Sequence, residues 1–259
     1  MRLDADSRDL TRFRDHFSEI ARGYAIYRPR YPQALFDFLA LHAPARTLAW
    51  DCACGNGQAT LDLAERFDRV IATDSSAAQL AQAPAHPRIE WRVASGERSG
   101  IADATCDLVT VAQALHWLDI DAFFREATRV TRSRGLVGVW SYSGMRHEQP
   151  VVEAVLKHFS RTIVGPYWPP QRYLVDEGYR SIRMPFEEIE VPEFEMTERW
   201  TLEQLVGYVG TWSATSEYRE ALNEDPSVEL EARLREVWGD PHQAKLVTWP
   251  LAVRVGRVS

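Results

Sequence analysis

The sequence predicts an α/β fold, a doubly wound and mostly parallel sheet. Three observations carry it. Short apolar runs at residues 48–50, 70–73, 89–93, 107–111 and 136–140 alternate with stretches whose apolar residues recur at helical spacing. That order builds parallel strands with helices packed on both faces. The first run leads through a tight glycine turn into a helix. A nucleotide-like ligand binds at such a place, beyond the carboxyl end of the first strand.

The glycine turn is the most informative stretch. Leu48-Ala49-Trp50 ends on an acid, Asp51, followed by Cys52, Ala53, Cys54 and the Gly55-Asn56-Gly57 turn. From Gln58 a helix is expected, with Leu61, Leu63, Ala64 and Phe67 as its apolar positions. Gly55 and Gly57 can take positive φ, and without a Cβ they let a ligand approach the backbone. The helix start adds unpaired N–H groups and a positive dipole end. A dinucleotide fingerprint needs a third small residue where Thr60 stands. Asp51 would also repel a pyrophosphate, whereas an acid there suits a ligand with an ammonium group.

Composition narrows the class. Of 259 residues, 45% are hydrophobic, enough for a sizeable core. Net charge is −7, with no block of Lys or Arg, which argues against a nucleic acid partner. No apolar run approaches the ~18 residues that a membrane span needs. The charged N-terminus has no apolar h-region of a secretory signal. Cys52, Cys54 and Cys106 form neither a C-x-x-C pair nor an even disulfide set, so a reducing, cytoplasmic setting is expected, with no metal site.

The stretch Asp51-Cys52-Ala53-Cys54-Gly55-Asn56-Gly57 resembles motif I of class I S-adenosylmethionine-dependent methyltransferases, D-x-G-x-G-x-G, with Ala53 in place of the first glycine. Two further stretches resemble the same family, in its trans-aconitate methyltransferase-like and type 11 branch. One is residues 21–32, which look like the family's A-x-x-Y-x-x-x-R-P-x-Y-P segment. The other is residues 107–119, D-L-V-T-V-A-Q-A-L-H-W-L-D. The likeness is strong over about residues 13–142 and thin beyond, through Tyr179, Pro185-Phe186, Trp200 and Trp212-Ser213.

The resemblance implies a Rossmann-like sheet of seven strands, the last antiparallel, with a C-terminal helical insertion. Residues 1–142 would supply a lid and the cofactor-binding part. Residues 143–259 would supply the last two strands and a helical cap over the acceptor, within one structural domain. The implied cofactor is S-adenosylmethionine. Its ligands would be Tyr24, Arg28, Asp51, Ala53, Gly55, Gly57, Asp74, Ser75, Ser95, Gly96, Glu97, Gln113, Ala114 and Trp117.

Several of these residues have a second reading. Residues 24–31 are either a lid, with Arg28 meeting the cofactor carboxylate and Tyr24 covering it, or a solvated linker. Asp74 either accepts ribose hydroxyls or caps a helix at 76–82. Ser95 replaces an acid that reaches the adenine edge in the family, leaving the Gly96 backbone for that role. Glu97 is open to a purely local backbone bond. Tyr24, Tyr27, Trp117, Trp140, Tyr142, Tyr167 and Trp168 are either an aromatic box for a sulfonium or plain core.

Methyl transfer is an in-line displacement, so alignment and exclusion of water matter most. A base is needed only where the acceptor must lose a proton. His116, after the fourth strand, is the candidate base, or else a packing partner of Trp117. The expected reaction is O-methylation of a small-molecule acceptor. The alternatives are an NAD(P)-dependent Rossmann oxidoreductase and a non-catalytic cofactor-binding protein. Against the former, neither Lys157 nor Lys245 has a Tyr four residues before it.

The C-terminal part is expected to hold a helix at 151–164, a strand at 186–196 broken in phase by Pro192, and a capping box at Thr201–Gln204. A helix capped by Ser227 and closed by Gly239, and a last strand at 246–255, complete it.

Overall fold

In the computed structural model the described residues are 28–259, and they fall into two compact units. Tyr24 and Tyr27, and with them most of the expected lid, lie outside the described residues.

The larger unit comprises residues 30–145, 170–197 and 248–259. It begins with α1 (Gln33–His42), which follows Pro32 and has no side-chain cap. Its buried face holds it instead. Leu35, Phe36 and Leu39 are each fully buried, at roughly 1.5–3 kcal/mol per side chain. Then come β1 (Leu48–Cys52), α2 (Gln58–Ala64), β2 (Arg69–Asp74), the short α3 (Ala77–Leu80), β3 (Ile89–Val93) and β4 (Cys106–Ala112). A 3₁₀ turn, Leu115–Trp117, leads to α4 (Ile120–Val130) and β5 (Thr131–Tyr142).

The strands stand in the order β3-β2-β1-β4-β5 and pair in parallel. β9 (Lys245–Arg257) then adds antiparallel to β5, as the family resemblance implies. Seven strands among the described residues have five or more residues. The sheet total of nine includes two-residue β6 (Arg146–His147) and β7 (Glu187–Glu188). The expected strand at 186–196 is in fact two, β7 and β8 (Phe194–Trp200), parted at Pro192, where the proline cannot donate to a ladder and the alternation slips. Trp50 anchors the centre of the sheet. It is fully buried, and its Nε1 donates to Thr73 Oγ1 at 2.8 Å.

The smaller unit, residues 146–169 and 198–247 with the end of the N-terminal segment, is mostly helical. It contains α5 (Pro150–His158), which widens into a π turn at Phe159–Ile163, so the helix expected at 151–164 is one body with a changed pitch. α7 (Leu202–Gly210) opens with the expected capping box of Thr201 and Gln204. α8 (Ser213–Leu222) was not anticipated, because Trp212-Ser213 carries no capping side chain. α9 (Pro226–Trp238) is capped by Asp225, whose Oδ1 accepts the Ser227 N–H at 2.9 Å, and not by Ser227 itself. Proline takes the first helical position, so the cap falls on Asp225, two residues before Ser227. α6 (Arg172–Asp176) belongs to the larger unit.

Candidate functional site

The glycine turn connects β1 to α2, and its conformation is left-handed at three places: Ala53 (φ 53°), Gly55 (φ 58°) and Gly57 (φ 96°). The two glycines serve different ends. A Cβ at Gly55 would meet nothing nearer than Gln79 Oε1 at 3.9 Å, so this is the open side of the turn. A Cβ at Gly57 would lie 2.4 Å from the Trp91 ring. Gly57 is therefore required by the chain's own packing, and ligand approach falls to Gly55.

Asp51 is 1% exposed. Its two oxygens accept the Thr60 hydroxyl at 2.6 Å and the Thr110 hydroxyl at 2.8 Å. Burial raises its pKa to about 6, against the opposing pull of the two hydroxyls. The carboxylate is thus sealed from solvent with both oxygens engaged by hydroxyls, so what it can offer a ligand is charge. Thr60 stands where a dinucleotide fingerprint has its third small residue, and its hydroxyl gives a positive reason for its presence. Thr60 and Thr110 are functional neighbours that sequence reasoning did not single out as partners of Asp51.

At the end of β2, Asp74 Oδ2 accepts the Gly55 N–H and Oδ1 accepts the Ser76 N–H, both at 2.8 Å. The helix cap is Ser76, whose hydroxyl accepts the Gln79 N–H at 3.3 Å. A carboxylate has about four lone-pair sites, so Asp74 holds the turn and keeps two acceptors open. Ser75 is exposed.

After β3, Ser95 is exposed and bridges to Arg98, and Gly96 is buried. A Cβ on Gly96 would come within 2.9 Å of Cys52 Sγ, which explains the glycine. Glu97 Oε1 accepts the Asp119 N–H at 3.1 Å, the backbone role left open above, although its partner is distant in sequence. After β4, Gln113 has φ 55°, and its side-chain amide both accepts from Tyr142 N–H (2.8 Å) and donates to Tyr142 O (3.0 Å). It extends the β4–β5 ladder where the backbone has turned away. Ala114 is buried beside it, while Trp117 is exposed.

His116 lies on the 3₁₀ turn, half-buried, with its ring 4.8 Å from that of Trp117 and its Nδ1 3.0 Å from the Tyr179 hydroxyl. Burial, aided by the positive charge of Arg172, lowers its pKa to about 4. It is a neutral imidazole at ordinary pH and a weak base. Trp140 and Tyr142 are buried against Tyr31 and Phe36, so these members of the aromatic set are core. In the helical unit, Tyr167 packs on Tyr218 and Trp168 on Trp212. There, too, the Arg28 guanidinium lies 5.6 Å from the Tyr208 ring centroid. Its assignment to the cofactor carboxylate rests on the resemblance. Burial raises the pKa of all three cysteines, Cys106 to about 12, which leaves them as packing residues. Among the described residues no His, Cys, Asp or Glu cluster could hold a metal, and no helix is long and apolar enough to cross a membrane.

A family model described as a methyltransferase domain matches residues 50–139, the stretch from β1 into β5 that holds the glycine turn, Asp74, Gly96 and His116. A Dictyostelium discoideum protein named as a methyltransferase is 32% identical over 229 residues, 86% of each chain. A solved structure from Anaeromyxobacter dehalogenans, described as a type II methyltransferase, superposes with a TM-score of 0.84 at 44% identity, covering 89% of this chain and 98% of the other. A Saccharomyces cerevisiae protein named as an S-adenosylmethionine-dependent methyltransferase is 31% identical over 128 residues, 46% of this chain and 44% of its own. The chain belongs to the class I S-adenosylmethionine-dependent methyltransferases. The oxidoreductase and non-catalytic alternatives find no support among these relatives.

The methyltransferase uses S-adenosylmethionine, and the residues present fit it. The open face at Gly55, the spare acceptors of Asp74 and the buried charge of Asp51 suit, in turn, a close-lying ligand backbone, hydroxyl donors and an ammonium group. A pyrophosphate would find two carboxylates at the same place.

Proposed function

We propose that this methyltransferase transfers the methyl group to an oxygen of a small-molecule acceptor, and that the oxygen belongs to a carboxylate. The observation that carries this is His116. With a pKa of about 4 it is too weak a base to take a proton from an alcohol or an ammonium near neutral pH. A carboxylate is already ionised and asks for no base. Arg172, paired with Asp176 at 2.8 Å, still lowers the basicity of His116. The net charge of −7 supports a small acceptor over a nucleic acid.

In this reading Gly55, Asp74, Ser95 and Gly96 hold the cofactor, with Asp51 beneath. The bound cofactor supplies the methyl group and its own leaving group. The chain's residues contribute alignment and the exclusion of water, a term worth several kcal/mol at least. His116 serves as a neutral hydrogen-bonding group toward the acceptor oxygen. Residues 143–259 are read as the source of acceptor selectivity, and the setting as cytoplasmic.

The test is to incubate the protein with methyl-labelled S-adenosylmethionine and a panel of small carboxylic acids, alcohols and amines. Label released as methanol by mild alkali is the mark of a methyl ester. Alkali-stable label on alcohols or amines alone would overturn the carboxylate assignment.

A further inference from the structure

Tyr179 is held in place by more of the structure than its packing requires. It closes α6 in a Schellman arrangement: the Tyr179 N–H donates to Leu174 O at 2.8 Å and the Gly178 N–H to Val175 O at 3.0 Å. Gly178 occupies the left-handed position usual for glycine, with φ 64°, and a Cβ there would come within 2.6 Å of the Ala252 Cβ. The next residue is left-handed as well. Tyr179 has φ 59°, an outlier for a bulky side chain. Such strain persists only where the surroundings over-determine it, and it concentrates at functional sites.

The surroundings here are specific. Arg254 on β9 donates from Nη1 to Tyr179 O and to Ile182 O, the latter at 2.6 Å. The same guanidinium forms a two-pronged pair with Glu188 on β7, at 2.9 and 2.6 Å. A bidentate arginine clamp of this kind fixes orientation as well as position. The phenol that results is fully buried. Burial keeps the phenol proton on at neutral pH. That proton faces His116 Nδ1, 3.0 Å away, whose lone pair can accept it.

We propose that Tyr179 is a positioning residue for His116: its hydroxyl donates to Nδ1 and fixes the imidazole as the Nε2–H tautomer. His116 then offers the acceptor a donor, not a lone pair. This deepens the carboxylate reading above and rests on it for the role of His116, since an Nε2–H can hold a carboxylate oxygen but cannot take a proton from an alcohol. Trp117 packs on the ring, and Arg172 acts on it through its charge.

The experiment is ring-nitrogen NMR on the full ¹⁵N-labelled chain near neutral pH, with His116→Gln identifying the signals of this residue. The expected spectrum is a neutral ring with Nε2 protonated and Nδ1 bare. In Tyr179→Phe the two nitrogen shifts should move toward the averaged values of a mixed tautomer. An Nδ1-protonated ring in the unsubstituted protein, an imidazolium, or an unmoved spectrum in Tyr179→Phe would overturn the proposal. Should Tyr179→Phe not fold, the unsubstituted spectrum still decides the tautomer, and Arg254→Lys, which removes the fork, replaces it as the second variant. Titration with S-adenosylhomocysteine separates the two levels. Absence of binding would count against the methyltransferase site itself, whereas the wrong tautomer counts against Tyr179 alone.

Discussion

Asp74 holds the glycine turn after β1: its Oδ2 accepts the backbone N–H of Gly55 at 2.8 Å. One carboxylate thereby ties the end of β2 to the loop after β1, and the same group has acceptors left for a ribose. Positioning and recognition are joined in a single side chain.

Asp74→Ala should therefore weaken S-adenosylhomocysteine binding by about 1–3 kcal/mol, the range for losing charged hydrogen bonds, and lower the melting temperature as well. Asp74→Asn keeps one acceptor oxygen and should fall between. Calorimetric titration alongside a thermal melt reads both. A lower melting temperature with unchanged affinity would leave Asp74 as a brace of the turn only.

Gly57→Ala should destabilise the protein by roughly 1–3 kcal/mol, because the new Cβ overpacks against Trp91. Trp91→Leu should relieve part of that loss in the double variant, with a coupling of about 0.5–3 kcal/mol. Additive losses in a denaturant-unfolding cycle would show that the positive φ of Gly57, and not the indole, makes glycine necessary.

Ala53 sits at φ 53° where the family motif has glycine. Ala53→Gly removes left-handed strain and should raise stability by up to about 1 kcal/mol, net of the entropy that glycine costs. Unfolding midpoints in urea measure it. A lower midpoint would mean that contacts of the methyl group outweigh the strain.

Cofactor affinity should depend on pH through Asp51, whose pKa is raised to about 6. Only the ionised form attracts an ammonium, so affinity for S-adenosylhomocysteine should rise from pH 5 to 7 and then level off, by up to about tenfold per unit below the pKa. Asp51→Asn should flatten the curve at weak binding. A flat profile in the unsubstituted protein would remove charge as the role of Asp51.

Stability should respond to the same residue in the opposite sense. The folded state holds a proton on Asp51 between pH 3.8 and about 6 that the unfolded chain has released, so the Asp51 contribution falls as pH rises through that window. His116 runs the other way. Its folded pKa of about 4 lies below the ordinary 6.5, and its contribution is lost as pH falls from 6.5 toward 4. The two windows overlap and the two slopes oppose, so His116→Gln should leave a profile that falls as pH rises from about 4 to about 6, and Asp51→Asn one that rises over the same range. Unchanged pH profiles in both would refute the two assignments.

Local pattern determined a good deal. The alternation of apolar runs and helical stretches placed β1 to β5 and the helices after β1, β2 and β4, whereas the helix that a strict alternation expects between β3 and β4 is replaced by a loop at residues 94–105. The glycine turn after Asp51 marked the passage from β1 into α2, and Thr201 with Gln204 marked the start of α7. These features depend on neighbours a few residues apart, which the chain brings together whatever the rest of it does. What each side chain of the turn is for was decided only by packing. Asp51 is sealed by Thr110, 59 positions away, Gly57 is imposed by Trp91, and His116 meets Tyr179 across 63 positions. Those partners come from different strands and turns, and no periodicity in one of them carries information about the other. The register of the sheet and the clamp of Arg254 on the Tyr179 turn bring them within bonding distance, and that is a property of the folded chain alone.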